Sequence, residues 1–308
     1  MKLHQLRAAL AIAEQGSLRG AARALGMSQP ALTHNIGELE RELGAPVFER
    51  RARGMTTTPL GELVLRRART ITNEARHVLE DVQQYLGGDK GEVAVCLSIV
   101  GHLALLPTAL PLFQQRFANV NLQIVEGSFP AVEARLRDGS MDFYLGPAPK
   151  PAPSREYSVE VLFNNTRQVF ARRGHPLAKA KSLRELVGAS WITTGTTSDA
   201  EAEFRALFTR NKLPPPRLVI KAESMLSALI TLMSSDALVV TLRQYDEFEL
   251  TRRALQIIDI KESLPAPDIV IIRRAGLPLT PAADYLCDMF RRASAQYVSS
   301  RGLVGRGG

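Results

Sequence analysis

A chain of 308 residues exceeds one ordinary domain and suits two or three. With 45% hydrophobic and 23% charged residues it can build substantial cores, which excludes wholesale disorder. The net charge of +8 and pI near 9.8 favour a polyanionic partner, but residues 1–88 carry 12 basic against 9 acidic side chains, so the excess is not segregated there.

Cys96 and Cys287 are the two cysteines and form no Cys-x-x-Cys pair. His4, His34, His77, His102 and His175 show no His-x-x-x-His spacing. A disulfide framework, a zinc site and metal catalysis are therefore not expected, and neither is a cofactor. No run of about 18 apolar residues exists to span a bilayer. The first residues are polar at every second or third position, unlike a secretory signal, so a cytoplasmic chain is expected.

Leu3, Leu6, Leu10 and Ala13 lie at helical spacing and predict a first helix ending near Gly16. Ser17 can cap a second helix with Leu18, Ala21, Ala22 and Leu25 inward, closed by Gly26. Ser28 can cap a third, with Gln29 and Pro30 in its first turn and a stripe of Leu32, Ile36, Leu39 and Leu43. Two short helices across a glycine-containing turn form a helix-turn-helix pattern. Residues 46–58 then read as a hairpin turning at Gly54, a wing.

Thr58-Pro59 opens a long helix with Leu60, Val64, Ala68, Ile71, Ala75, Val78, Val82 and Leu86 on one stripe. At about 1.5 Å per residue it would run about 42 Å, and a lone apolar stripe of that length needs a partner, most simply its twin. Gly87 to Gly91 reads as a flexible joint. Beyond it, strands and helices alternate, which predicts α/β layers with largely parallel sheets. Val169–Pro176 would mark the passage into a second lobe, and the last helix spans Pro281–Arg292. The expected organisation is 1–58 winged helix-turn-helix, 59–88 linker helix and 91–295 sensor. In that sensor, lobe I takes about 91–162 and 266–295, and lobe II about 163–265.

Gly16-Ser17-Leu18, Ala21-Ala22, Ser28-Gln29-Pro30-Ala31-Leu32, Ile36, Leu39-Glu40, Leu43-Gly44, Phe48-Glu49-Arg50 and Leu60-Gly61 closely resemble the LysR-type transcriptional regulators. The match is dense over residues 3–66. Over 91–293 it rests on element order and on pieces such as Leu136–Asp142 and Gly174–Leu177. Within the family, the sensor loosely resembles the subgroup responding to galactose-type sugars or toluenesulfonate. The resemblance implies an all-α winged helix-turn-helix, a long linker helix and a two-lobed sensor of the periplasmic-binding-protein type.

With Leu32, Ile36 and Leu39 inward, Ser28, Gln29, Pro30, Thr33, His34 and Gly37 are left to face a major groove. Gln29 suits adenine N6/N7, and Pro30 and Thr33 suit a thymine methyl. His34 stands where many relatives carry arginine, and it reads equally as a plain surface residue. Arg50, Arg51 and Arg53 on the wing would grip phosphates or a minor groove. Arg66, Arg67 and Arg69 fit a solvated helix face better than DNA contacts.

Ligands in α/β sheets sit beyond the carboxyl ends of strands, near helix N-termini. Ser98, Val100, Gly101 and His102 end one strand, Ser128 follows another, and Thr196 and Thr197 open a helix of the second lobe. The resemblance implies that these loops line an effector cleft, and the hydroxyls suit a small organic anion or sugar. The same hydroxyls also read simply as helix caps. The expected partners are double-stranded operator DNA, a small-molecule effector, RNA polymerase and further copies of the chain, dimer to tetramer. No membrane partner is expected.

A solute-binding receptor is the alternative for the two-lobed part. The N-terminal 90 residues speak against it. An enzyme lacks support because Gly-x-Ser-x-Gly, the phosphate-binding Gly-x-x-x-x-Gly-Lys pattern and a Gly-x-Gly-x-x-Gly after a strand are all missing.

Overall fold

A computed structural model describes residues 1–51, 54–194, 200–222 and 224–301. The chain divides into two compact units, Met1–Lys90 with Glu133–Asp142, and the remaining described residues.

The first unit contains α1 (Leu3–Gln15), α2 (Leu18–Ala24), α3 (Gln29–Leu43), β1 (Phe48–Arg51), β2 (Gly54–Thr57) and α4 (Pro59–Tyr85). Three hydroxyls start α2, α3 and α4. Ser17 Oγ accepts from the Gly20 N–H at 3.1 Å, Ser28 Oγ from Ala31 at 3.3 Å, and Thr58 Oγ1 from Gly61 at 2.9 Å. Such caps contribute roughly 1 kcal/mol each by pairing N–H groups the helix leaves open. Gly16 and Gly44 end α1 and α3 at φ 63° and 73°, a region that costs a residue without Cβ nothing.

Leu6, Ile12, Leu32, Ile36, Leu39, Val47, Phe48 and Leu65 form the core, and Ala8, Ala9, Ala21 and Ala22 let the helices approach closely. Leu25 and Leu43 depart from the inward placement expected of them, each being 37% exposed. Both stand at helix ends beside the left-handed turns at Gly26 and Gly44, where the chain leaves the core.

Along α4 the covered face changes character. Leu65 and Ala68 join the core, but the buried residues further on are His77, Glu80 and Gln84. Arg76 pairs with Glu80 at 2.8 Å, and His77 lies 3.6 Å from Glu74 and 4.0 Å from Asp142. Asn73 donates to the Asp138 carbonyl at 2.8 Å. The stripe read from the sequence divides: Val64 and Ala68 meet the core, whereas Ile71, Val78, Val82 and Leu86 are between 42% and 78% exposed.

The second unit holds two five-stranded sheets. Its elements are β3 (Lys90–Leu97), α5 (Leu106–Arg116), β4 (Asn119–Glu126), the first residues of α6 (Phe129–Asp138, which from Glu133 on belongs to the first unit), β5 (Phe143–Pro147), β6 (Tyr157–Phe163), β7 (Arg167–Arg172), β8 (Ser190–Thr194) and α7 (Ala200–Arg210). They continue as β9 (Arg217–Ala222), α8 (Met225–Met233), β10 (Ala237–Leu242), α9 (Glu249–Ala254), β11 (Leu255–Ile258), β12 (Ile269–Arg274) and α10 (Pro281–Arg301). The lobe I sheet runs β4-β3-β5-β12-β6, and the lobe II sheet β11-β7-β10-β8-β9.

These sheets are mixed, which corrects the largely parallel expectation. Parallel pairing holds for β3 with β5 and for β8 with β9 and β10. β12 runs antiparallel to β5 and β6, and β7 antiparallel to β10 and β11. Parallel neighbours need a crossover, usually a helix. β7 and β12 are the strands on which the chain enters lobe II and returns to lobe I, so no such crossover constrains them.

The passage into lobe II lies between Phe163 and Arg167, ahead of the Val169–Pro176 segment, of which Val169–Arg172 is the end of strand β7 and Arg173–Pro176 the turn after it. α10 continues to Arg301, past the expected stop at Arg292, because Ala293, Ser294 and Tyr297 remain buried against lobe I.

Phe113, Phe143, Leu145, Phe163 and Phe290 fill the lobe I core, and Trp191, Phe208, Leu183 and Leu238 that of lobe II. Where the lobes join, Asn165 and Gln244 exchange amide hydrogen bonds at 2.9 and 3.1 Å. Gln244 also donates to the Tyr297 hydroxyl at 3.0 Å, which donates in turn to Glu247 at 2.7 Å. Among the described residues no helix is long and apolar enough to cross a membrane.

Candidate nucleic-acid interface and ligand cleft

α3 turns Leu32, Ile36 and Leu39 into the core and leaves Ser28, Gln29, Pro30, Thr33 and His34 exposed at its start. Ser28 Oγ is committed to the Ala31 N–H, so its hydroxyl shapes the turn. The Thr33 hydroxyl donates to the Gln29 carbonyl at 2.9 Å, which leaves its methyl as the apolar group. His34 is 68% exposed, with Nε2 lying 3.4 Å from Glu38 Oε1.

The wing is held to this helix by one carboxylate. Glu40 Oε1 accepts from the Val47 N–H at 2.7 Å and from Phe48 at 3.1 Å. Thr58 adds two bonds, its N–H to the Val47 carbonyl at 3.0 Å and its hydroxyl to the Pro46 carbonyl at 2.8 Å. Two glycines permit the close approaches. A Cβ on Gly61 would lie 2.1 Å from the Val47 carbonyl oxygen, and one on Gly54 would lie 2.5 Å from that of Gly16. Arg50 and Arg51 are exposed on β1, with Arg51 also 3.3 Å from Glu49. Arg53 lies outside the described residues. Arg66 and Arg67 are exposed on α4.

In the second unit the sheet order places β4 beside β3, so the loop from Ser98 to His102 meets Gly127 and Ser128. The Gly127 N–H donates to the Leu97 carbonyl at 3.3 Å. Ser98 is buried, its N–H donates to the Leu145 carbonyl at 2.8 Å, and its Oγ has no hydrogen-bond partner among the described residues. A buried hydroxyl left open costs roughly 1–3 kcal/mol until something pairs with it. His102 Nδ1 lies 3.0 Å from the Ser98 carbonyl, which only accepts, so Nδ1 is the donor of this bond. The Val100 side chain belongs to the lobe I core, leaving only its backbone to face a ligand. Gly101 starts a π-helical turn whose Cβ position would crowd Leu97 and Leu145 at 3.1 and 3.2 Å. The Ser128 carbonyl accepts from the Ala131 N–H at the start of α6. Thr196 and Thr197 lie outside the described residues.

The fold adds residues that sequence reading missed. Ile99 and Leu103 pack against the lobe II cluster that contains Tyr245 and Phe170. Burial pushes the Tyr245 phenol up to about 12; a hydrogen bond with Thr241 opposes this and the Glu126 carboxylate adds to it. Glu126 ends β4 and Tyr245 follows β10, so lobe I and lobe II each bring a polar group to this place. Only the position of Glu126, directly before Gly127-Ser128, was visible in the sequence; Tyr245 carried no local signal.

A capped, outward-facing helix with a wing, followed by a long helix and a two-lobed ligand-binding fold, defines a ligand-responsive transcription regulator. Residues 3–62 match the family described as bacterial regulatory helix-turn-helix protein, lysR family, and residues 86–295 match the LysR substrate binding domain. The chain belongs to the LysR family of transcriptional regulators.

It is 27% identical to the regulator GbpR of Azospirillum brasilense over 96% of this chain and 87% of the relative. It is also 27% identical to the regulator GalR of Pseudomonas putida, over 94% and 73%. It shares the fold of CbnR, a LysR family regulator solved in full length with its target DNA. The TM-score there is 0.69 at 20% identity, covering 95% of this chain and 100% of that one. A full-length OxyR variant from Pseudomonas aeruginosa gives 0.69 at 22% identity, over 94% and 95%.

Proposed function

We propose that this chain is a cytoplasmic regulator that reads operator DNA with the first turn of α3 and answers a small organic anion or sugar bound between its sensor lobes. The observation that carries the reading is the exposed Ser28-to-His34 turn, backed by a fully apolar inner face and tied to the wing through Glu40. Gln29 reads adenine, Pro30 and Thr33 lie against thymine methyls, and His34 meets a further base or phosphate. Arg50, Arg51 and Arg53 hold the backbone without reading sequence. The division of labour assigns 1–58 to DNA, 59–88 to the linker and 91–295 to the sensor.

Two copies pair through the open stripe of α4, and sensor pairing extends the dimer to a tetramer that engages RNA polymerase at a promoter. Ser98, Gly101, His102, Ser128, Thr196 and Thr197 hold the effector together with the backbone at Val100. The open hydroxyl of Ser98 supports this, and Glu126 favours a hydroxylated neutral ligand over an anion, because a carboxylate repels its like. The ligand moves the lobes only as far as it prefers one arrangement over the other. We assign the chain no catalysis.

The test is selection of binding sites from a random duplex pool with the full chain. A two-fold symmetric site is expected, with affinity falling steeply as salt rises. Failure to enrich any sequence would remove the reading.

A further inference from the structure

The recognition helix carries a polar relay, two hydrogen bonds and one close ionic contact, that the DNA reading alone does not use. Gln5 is buried on α1, and its Oε1 accepts from the Lys2 N–H at 2.8 Å. A backbone N–H only donates, so this bond fixes the amide, and the Nε2 end must face away from Lys2. That end donates to Glu38 Oε2 at 3.2 Å. The second oxygen of the same carboxylate, Oε1, lies 3.4 Å from His34 Nε2. A carboxylate attracts a proton, so its nearness favours the His34 tautomer with the proton on Nε2, in which Nδ1 is an acceptor.

We propose that Glu38, clamped by Gln5, sets the tautomer of His34 and through it the base preference of the recognition helix at one operator position. The inference rests on α3 being the DNA-reading helix. An acceptor at Nδ1 suits a base that offers an amino group in the major groove, cytosine N4 or adenine N6. Glu38 is thus a positioning residue, acting through His34.

The relay makes a sign-specific prediction for Glu38→Gln. Gln5 can still only donate, so the new amide oxygen must turn to it and the new NH₂ must face His34. The imidazole then accepts at Nε2 and carries its proton on Nδ1, which becomes a donor suited to guanine O6 and N7.

The experiment selects sites with the full chain from a random duplex pool of about 30 base pairs, roughly three helical turns. It is run at about pH 8, on the neutral side of the histidine range. Wild type is expected to choose cytosine or adenine at one half-site position. Glu38→Gln is expected to choose guanine there by about tenfold while keeping the rest of the site, and His34→Ala to lose preference at that position alone. Long-range proton–nitrogen spectra of the free protein should show the Nε2–H tautomer of His34 in wild type and the Nδ1–H tautomer in Glu38→Gln.

If Glu38→Gln keeps the wild-type base and tautomer while His34→Ala loses the preference, the relay is overturned and the DNA-reading role of α3 stands. A uniform loss of affinity in Glu38→Gln with no change of base also overturns it, leaving a merely structural role. If wild type enriches no sequence, the regulator reading fails together with the relay.

Discussion

Replacing Glu40 with alanine should detach the wing and unfold the N-terminal unit early, while leaving the sensor intact. The Glu40 carboxylate is the acceptor for the Val47 and Phe48 N–H groups, and both residues are buried. Leaving a buried donor unpaired costs about 1–3 kcal/mol, so the two together cost roughly 2–6 kcal/mol. For a unit of roughly 100 residues each kcal/mol lowers the midpoint by about 4–8 °C, so a fall of about 10 °C or more is expected.

The full chain can be heated and followed by two signals. Helix content reports on both units, but the one tryptophan, Trp191, is buried in the lobe II core. In Glu40→Ala part of the helix signal should melt early while the Trp191 fluorescence transition stays in place. Glu40→Gln keeps an oxygen for both donors and loses only the charge, so it should cost about half as much. A wild-type midpoint for Glu40→Ala, or equal damage from both substitutions, would refute the assignment of Glu40 as the tie between helix and wing.

Gly61→Ala should destabilise the same unit by about 1–3 kcal/mol or more in the same melt, because its Cβ meets the Val47 carbonyl, a backbone atom that cannot move aside. Gln29→Ala should relax base preference at one operator position and cost about 1–3 kcal/mol on the selected site, measured by fluorescence anisotropy. Arg50→Ala should weaken binding to every sequence alike and reduce the salt slope by about 1; a changed sequence preference would contradict a backbone role. Ile71→Glu should shift the sedimentation of the chain toward a monomer without altering the Trp191 transition, and an undiminished dimer would show that pairing does not use this stripe.

What the sequence determined by itself was everything encoded at short range. Ser17, Ser28 and Thr58 announce helix starts, Gly16 and Gly44 announce ends, and the steps of Leu32, Ile36 and Leu39 orient α3, because caps and periodicity act within one or two turns. The stripe from Leu60 to Leu86 was legible as a period, but which of its residues meet the core, Val64 and Ala68, and which stay exposed was not.

Tertiary structure decided what depends on partners distant in the chain. Sheet direction at β7 and β12 follows from where the chain crosses between lobes, and no local pattern records a crossing. The tie of Glu40 to Val47 and Phe48, the electrostatic influence of Glu126 on Tyr245 across more than a hundred residues, and the link from Gln5 to His34 through Glu38 arise only once elements pack. A polar side chain reads alike in sequence whether it faces water or a buried donor, and only the fold supplies the donor.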